Sequence, residues 1–450
     1  APASADLVGT SGDDVFVVMP GSTPGSWVVE LNGAAQQYEG DPVTVEFDGL
    51  EGHDTVTVTG SGERELAELW PDHCVVTGNS LSLTAVNVES ITVDGGGGND
   101  KAMLYDSPGD DWFRVAPDWA DLKGDGFLLS VLGFPEVTGY ATEAGIDVAQ
   151  LFDSPGDDAF RAAPEYGTLY GEGFSNRAEA FEYTHGYGRN GGDDMALLFD
   201  SEGDDRFQAT PELARLYGDG FYTRAVAFPT VNAQATAGGT DVAQLFDSPG
   251  DETFEATPQY GRLFGDGFDN RADGFRYTHG YGRNGGIDKA QLYDSEGDDR
   301  FFATPDWAKL YGDAFFTRAV AFPKVEGHAT AGGRDVAKLI DSPGADVFHA
   351  SPHSARLQGE TFDNLAVSFH AVNAKSDADD DDDRGYLFDS ALDDHLKAAE
   401  DWAELSNDDP LLGFLIGVEA FEAVQASSSG QNDTQDVDAA VDWLVLHGWP

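Results

Sequence analysis

The sequence predicts an all-β fold, a parallel β-solenoid built from units of about 47 residues. Three observations carry that expectation: a fixed repeat, a two-residue alternation of apolar and polar side chains inside it, and a unit number with no natural closure. The repeat is clearest at residues 238–254, GGTDVAQLFDSPGDETF, and recurs along nearly the whole chain. Its opening acid stands at Asp54, Asp100, Asp147, Asp194, Asp241, Asp288, Asp335 and Asp383, at steps of 46, 47, 47, 47, 47, 47 and 48 residues. A second acid follows eleven positions later at Asp111, Asp158, Asp205, Glu252, Asp299, Asp346 and Asp394. Units of this size cannot bury an apolar face alone and do so by stacking on their neighbours.

Each unit contains four short alternating segments, expected as strands. In one unit they are DVAQLFD (241–247), TFEAT (253–257), RLFGDGF (262–268) and ADGFRYTHG (272–280). The fourth is rewritten as AVAFPTVNAQA (225–235) in alternate units, so the full sequence period is 94 residues. Proline in SPGD and TPQY falls at turns, where a missing N–H costs nothing. Four strands per unit would also suit a β-propeller. The repeat, however, begins in mid-unit near Gly9 and runs to about Ala426, and pairwise alternation gives a propeller nothing. Leu216, Leu263 and Leu310 are expected to form one buried stack, with Phe207, Phe254 and Phe301 on a neighbouring one.

The organisation follows. Residues 1–99 hold divergent units, opened by GTSGDDVF (9–16), and 100–426 hold the regular ones. DADDDDD (377–383) is an acidic insertion that accounts for the 48-residue step. Residues 427–433, SSSGQND, are expected as a linker. Residues 434–450 place Val437, Ala440, Val441, Leu444 and Val445 at helical spacing, which predicts a short amphipathic helix ending at Gly448.

Composition narrows the function. Lys and Arg total 25 against 82 Asp and Glu, a net charge of −57. Such a chain is a poor partner for nucleic acid or anionic lipid and a good one for cations. Cys74 is the single cysteine, so no intrachain disulfide is available, and no apolar run is long enough to span a membrane. The initial Ala1-Pro2-Ala3 is compatible with a mature end left by leader removal. In a solenoid, equivalent residues stack about 4.8 or 9.6 Å apart. Asp106, Asp153, Asp200, Asp247, Asp294, Asp341 and Asp389 would then form one acidic ladder. Neighbouring carboxylates at about 4.8 Å repel by roughly 3–4 kcal/mol at an effective dielectric near 20. Either a hard divalent cation relieves that repulsion, or the acids cap turns and leave their charge to water.

GTSGDDVF (9–16), GLEGHDTV (49–56) and GGGGNDKA (95–102) resemble the calcium-binding nonapeptide of RTX, haemolysin-type repeats. Asp14, Asp54 and Asp100 fall at that motif's Asp, and Phe16, Val56 and Ala102 at its apolar position. Asp147, Asp194, Asp241, Asp288 and Asp335 keep the core of the motif. The resemblance implies calcium held between coils of a parallel β-roll. The spacing departs from the family: the motifs stand 11 and then about 36 residues apart instead of in tandem at nine. The candidate metal ligands are Asp14, Asp54, Asp100, Asp111, Asp147, Asp158, Asp194, Asp205, Asp241, Asp288, Asp299, Asp335 and Asp346. The whole pattern, over roughly residues 8–426, also resembles tandem repeats in very large secreted surface proteins of planctomycete-type marine bacteria. That resemblance implies an extracellular or cell-surface location.

YTHGYGRNGG (183–192 and 277–286) brings together His185, Tyr187 and Arg189, and again His279, Tyr281 and Arg283. Their rings and planar donors suit a glycan or other partner. The competing expectation is a Gly-rich turn in which Arg and Asn brace neighbouring carboxylates. The sequence carries no nucleophile elbow, zinc-protease helix or phosphate loop, and its paired carboxylates are too numerous to single out a catalytic pair. No enzymatic activity is expected. The expected function is an extracellular structural subunit of a fibre, sheath or surface layer, stiffened by calcium and partnered by itself. The alternative is a polysaccharide-binding or polysaccharide-modifying β-helix protein. Head-to-tail assembly would use Trp443, Leu444, Leu446 and Trp449 in the tail against an uncovered first unit.

Overall fold

The computed structural model describes residues 3–376, 382–409, 413–430 and 432–450, and among these residues every regular element is a β-strand. The fold is a parallel β-solenoid, as the sequence predicts. The chain divides into two compact units, one of Ala1–Gly203 with Glu212–Val231, the other of Asp204–Pro211 with Asn232–Pro450. Most of the acidic insertion, residues 377–381, lies outside the described residues.

The second unit shows the winding rule. Val242–Phe246 lies in one sheet, here sheet 2. The chain crosses to sheet 1 and makes a three-stranded meander, Thr253–Ala256, Tyr260–Gly265 and Phe268–Asp273. It returns to sheet 2 as Tyr277–Tyr281, crosses to sheet 1 as Lys289–Tyr293, and makes its next meander in sheet 2. That second meander is Arg300–Ala303, Trp307–Tyr311 and Phe316–Val320. Pairing is antiparallel inside a meander and parallel from coil to coil, as where Val242–Phe246 meets Tyr277–Tyr281. Each 47-residue unit is therefore a single strand, a meander and a single strand, which amounts to one and a half coils. Successive units start in opposite sheets. This is the physical cause of the 94-residue period.

The first unit obeys the same rule. Its meander Trp112–Ala116, Trp119–Gly124 and Phe127–Leu132 lies in sheet 2, and the next, Ala159–Ala163, Tyr166–Gly171 and Phe174–Glu179, lies in sheet 1. Residues 9–100 follow it too, with Glu65–Trp70, His73–Gly78 and Leu81–Val86 as a sheet 1 meander.

Four expectations need correcting. Each unit holds five strands, because GDG in RLFGDGF is a hairpin turn with Gly267 at φ +80°, and it splits one expected segment into two. Leu216, Leu263, Leu310, Phe207, Phe254 and Phe301 are all buried, as the alternation requires, but Leu263 and Leu310 lie in opposite sheets and cannot share a stack. Parity also divides the acidic ladder: in the second unit Asp247 and Asp341 follow sheet 2 strands, whereas Asp294 follows a sheet 1 strand.

The fourth correction concerns the tail. No helix forms at 434–450. Thr434–Val437 adds in parallel to His395–Ala399, and Leu444–His447 adds to Ala423–Ser427. Open strand edges offer rows of unpaired backbone groups, and satisfying them outweighs a weak helical pattern in so short a segment. The Trp443 indole N–H donates to the Glu400 carbonyl at 2.8 Å, Leu444 is half-buried, Leu446 is exposed and Trp449 is half-buried. The expected linker is a further corner of the solenoid, where Asp394 N–H donates to buried Asp433 at 3.0 Å.

The core is a double layer of Phe, Leu, Val and Ala between the sheets. Gly280 shows how closely they approach: a Cβ there would lie 2.5 Å from the ring of Phe254 in the opposite sheet. Gly186 stands in the same relation to Phe160. The glycine of YTHGY is thus a packing requirement. Buried Asn270 and Asn364 donate across the core to the carbonyls of Thr210 and Thr304 at 2.9 and 3.0 Å, so the buried amides are hydrogen-bonded.

Candidate metal centres at the corners

The acids of the repeat gather where the chain turns from one sheet to the other. At the corner after Lys289–Tyr293, Asp294 ends one strand, the turn SEGD follows, and Asp299 precedes Arg300–Ala303. Arg300–Ala303 pairs in parallel with Val336–Ile340, which brings Asp335 beside Asp299. Asp294, Asp299 and Asp335 are 5%, 1% and 3% exposed. The second acid of one unit thus meets the opening acid of the next, 36 residues on.

Backbone N–H groups hold these carboxylates in place. Asp299 N–H donates to Asp335 Oδ1 at 2.7 Å, and Ser295 donates to Asp299 Oδ2 through its N–H at 2.6 Å and its hydroxyl at 2.8 Å. Ala331 N–H reaches the Asp294 oxygens at 2.9 and 3.1 Å. The other Asp299 oxygen, Oδ1, is buried with no hydrogen-bond partner. The pattern recurs where Glu252 N–H donates to Asp288 at 2.8 Å, Asn284 N–H donates to Asp247 at 2.6 Å, and Glu252 Oε2 is left without a partner.

Four such trios lie in the second unit: Asp247/Glu252/Asp288, Asp294/Asp299/Asp335, Asp341/Asp346/Asp383 and Asp389/Asp394/Asp433. In each, one carboxylate oxygen from every member lies within 4.8 Å of the others. In the first unit Asp111 N–H donates to Asp147 and Asp158 N–H to Asp194, at 2.7 and 2.8 Å, with Asp106 and Asp153 as the buried third acids. Asp205 N–H donates to Asp241 at 2.8 Å in the second unit.

Burial pushes the carboxyls of Asp147, Asp194, Asp288 and Asp335 up to about 6, and the neighbouring negative charges add to the shift. Such a site holds more negative charge than its hydrogen bonds neutralise. Three converging carboxylate oxygens are the donor set of a hard divalent cation, with carbonyls and water available to complete the shell.

The earliest corners differ by one residue. Gly9 and Gly60 occupy the position of Asp294, so these corners hold Asp14 with Asp54, and Glu65 with Asp100. Their backbone bonds are the same: Thr10 N–H to Asp14 at 2.6 Å, and Asp14 N–H to Asp54 at 2.7 Å. A Cβ at Gly9 would lie 2.5 Å from Asp14 Oδ2, leaving no room for a third acid. Hydrogen bonds from Thr10 N–H and Asn32 hold Asp14 below its ordinary value, whereas burial raises Asp54 and Asp100.

Every candidate ligand read from the sequence is buried at such a corner. Sequence reasoning paired acids eleven apart and missed the neighbour 36 residues away. It also left Asp247, Asp294, Asp341, Glu252, Asp383, Asp394 and Asp433 out of the ligand set. The signal was available, since an acid five residues before the second acid recurs in each regular unit.

In YTHGYGRNGG the Asn half of the turn-bracing expectation holds: Asn190 donates to Asp153 and Asn284 to Asp247. Arginine does something else. Arg189 and Arg283 lie over the rings of Tyr187 and Tyr281 at 5.2 and 5.1 Å. His185 and His279 stand half-buried on the outer face of sheet 2, and burial beside Arg224 and Arg318 lowers both to about 4, so they are neutral at pH 7. Among the described residues no helix is long and apolar enough to cross a membrane. The sequence matches no protein-family model and no curated protein.

Proposed function

We propose that this chain is an extracellular structural repeat module whose acidic corners bind calcium, and that it associates with itself. The observation that carries the proposal is the third buried carboxylate of the regular corners. The two-carboxylate corners fold with the same backbone bonds and no third acid, so turn formation alone does not require it. Two charges about 4.8 Å apart repel by about 3.5 kcal/mol at an effective dielectric of 20, and a divalent cation turns that penalty into binding. Calcium is favoured over magnesium because carboxylates on peptide turns suit a larger, more adaptable shell. The 36-residue spacing then makes each ion a staple between consecutive coils.

Repetition of the distinctive residues with the scaffold favours a structural role over catalysis. Self-association is part of the same proposal. With the tail engaged on its own chain, the flank of the solenoid becomes the surface for it.

The test is calorimetric. Melting in millimolar calcium, in millimolar magnesium and in chelator, at matched ionic strength, should give the highest temperature in calcium and the lowest in chelator. Equal melting temperatures in calcium and chelator would remove calcium from the proposal.

A further inference from the structure

Over part of the second unit the two sheets present different chemistry on their outer faces. Beyond Ala371–Lys375, sheet 2 continues into Phe414–Glu419 and Trp402–Asn407, which bring Glu419 and Glu404. Sheet 2 places eight strands side by side, in the order Arg206–Ala209, Val242–Phe246, Tyr277–Tyr281, Phe316–Val320, Trp307–Tyr311, Arg300–Ala303, Val336–Ile340 and Ala371–Lys375. None of the eight contains an Asp or Glu, in a chain that has 82 of them. Their outward positions carry Arg206, Arg300, Lys309, Arg318, Lys338 and Lys375, the last paired with Glu419 of the adjoining strand, and aromatic rings flank them. Sheet 1 of the same unit instead interleaves the signs. Asp269, Asp273, Glu326 and Asp363 there pair with Arg262, Arg271, Lys289 and Arg356.

Among the described residues, Arg300, Lys309, Arg318 and Lys338 of sheet 2 form no ion pair; Lys309 and Arg318 rest on rings instead. The Lys309 ammonium lies 4.8 Å from the centre of Tyr311, and the Arg318 guanidinium 5.4 Å from that of Trp307. The rings lean on one another along the rows: Phe246 on Tyr281 at 4.8 Å, Tyr277 on Phe316 at 5.8 Å, Tyr311 on Phe316 at 6.0 Å. Their faces are therefore engaged, and it is ring edges, the positive end of the aromatic quadrupole, that turn outward. The only formal charges these eight strands carry are positive, beside neutral Gln, Asn, His and Tyr groups that both donate and accept.

We propose that the outer face of sheet 2 is a lateral docking surface for the acidic corner turns of a second copy of this chain. The inference rests on the self-association proposed above and names the surface that performs it. Charge complementarity selects the occupant. Arg300, Lys309, Arg318 and Lys338 lie together on this face with no carboxylate in their strands, while exposed acids such as Asp251, Glu296 and Asp298 recur at the turns. A neutral glycan would leave these cations without a counter-charge, whereas acidic turns supply one. The first unit repeats the arrangement with Tyr183, His185 and Tyr187 beside Tyr222 and Arg224, so one chain offers more than one such patch and weak contacts gain by avidity.

The test uses the full chain in millimolar calcium, followed by sedimentation velocity at low and high salt. The variants are Lys309→Glu/Arg318→Glu/Lys338→Glu and the milder Lys309→Gln/Arg318→Gln/Lys338→Gln, each checked for unchanged melting. The native protein should associate at low salt and dissociate at high salt, and both variants should associate at least about tenfold more weakly. A native protein that stays monomeric would end both the self-association proposal and this inference. Association of the glutamine variant equal to native would end the inference alone. Binding of polygalacturonate by a monomeric native protein, lost in the variants, would assign the face to an acidic polysaccharide instead.

Discussion

The corner at Gly9 and the corner at Asp294 perform the same turn with different charge. At Gly9 two carboxylates suffice, and the following loop is braced from outside by Asp48, which accepts the Leu50 N–H at 3.1 Å. At Asp294 that bracing acid sits inside, beside Asp299 and Asp335, and accepts the Ala331 N–H. Both solutions satisfy the backbone. Only the second assembles three negative charges in a buried space, and it is the one the regular units repeat. The difference separates what the fold needs from what an ion needs.

The sharpest way to break this comparison is to remove one equivalent acid from each type of corner. Asp54→Ala should cost about 1–3 kcal/mol in chelator, because it leaves the buried Asp14 N–H without its acceptor. Asp335→Ala loses the equivalent bond to Asp299 N–H but sheds repulsion from Asp294 and Asp299, so its cost in chelator should be smaller. In calcium the Asp335→Ala cost should grow by about 2.7 kcal/mol when the ion is at a hundredfold its dissociation constant, while the Asp54→Ala cost should stay put. Chemical denaturation in both buffers measures the gap. Equal increments would show that the two kinds of corner bind alike, or not at all.

Titration gives the next contrast. Asp147, Asp194, Asp288 and Asp335 sit near 6 in the folded chain against an ordinary value of 3.8, so between these values the folded state holds protons that the unfolded state has released. Their contribution is complete below about 3.8 and disappears as the pH rises through 6. Chelated protein should therefore melt at a higher temperature at pH 5 than at pH 7.5. Saturating calcium should flatten or reverse that slope, and a chelated protein more stable at pH 7.5 would contradict the assignment.

Converting one corner into the other is a gentler change. Asp294→Gly removes one charge and one N–H acceptor; in chelator the relief of repulsion should exceed the lost bond, for a net gain of about 1–2 kcal/mol. In calcium the same variant should be destabilised. A loss in both buffers would mean that Asp294 is chiefly a loop brace. The smallest effect lies at another repeated turn, where Gly274 adopts φ +78° while Ala321 at the equivalent position is held at φ +62°. Ala321→Gly should raise stability by about 0.5–1 kcal/mol by relieving the left-handed strain. Unchanged denaturation would show that the turn tolerates the methyl group.

Much of this architecture is legible in the residues. Alternation such as Ala243, Leu245 and Phe254 inward identifies the strands, and the recurring Asp fixes the unit. The third acid and the 36-residue contact were harder, because they depend on how far one coil runs before it meets itself, a quantity set by three-dimensional pairing. The hairpin inside RLFGDGF was signalled by Leu263 and Phe268, both buried yet five residues apart, an odd spacing that one continuous strand cannot place on a single face. Val437, Val441 and Leu444 fit a helix locally, and only the waiting edges of His395–Ala399 and Ala423–Ser427 decide otherwise. The carboxylate-free face was invisible for the same reason. Its strands are scattered through the sequence and become one surface only when meanders are assigned to alternating sheets.

The one-and-a-half-coil unit restricts how such a gene can lengthen. Inserting one 47-residue segment would send every downstream strand to the opposite sheet, moving Lys309 and Arg318 to the side now held by Arg262 and Arg271. Inserting two would restore every side chain to its own flank. Recombination that preserves a sided surface must therefore add or delete units in pairs, and the identity of residues 183–192 and 277–286, 94 apart, is the mark such growth would leave.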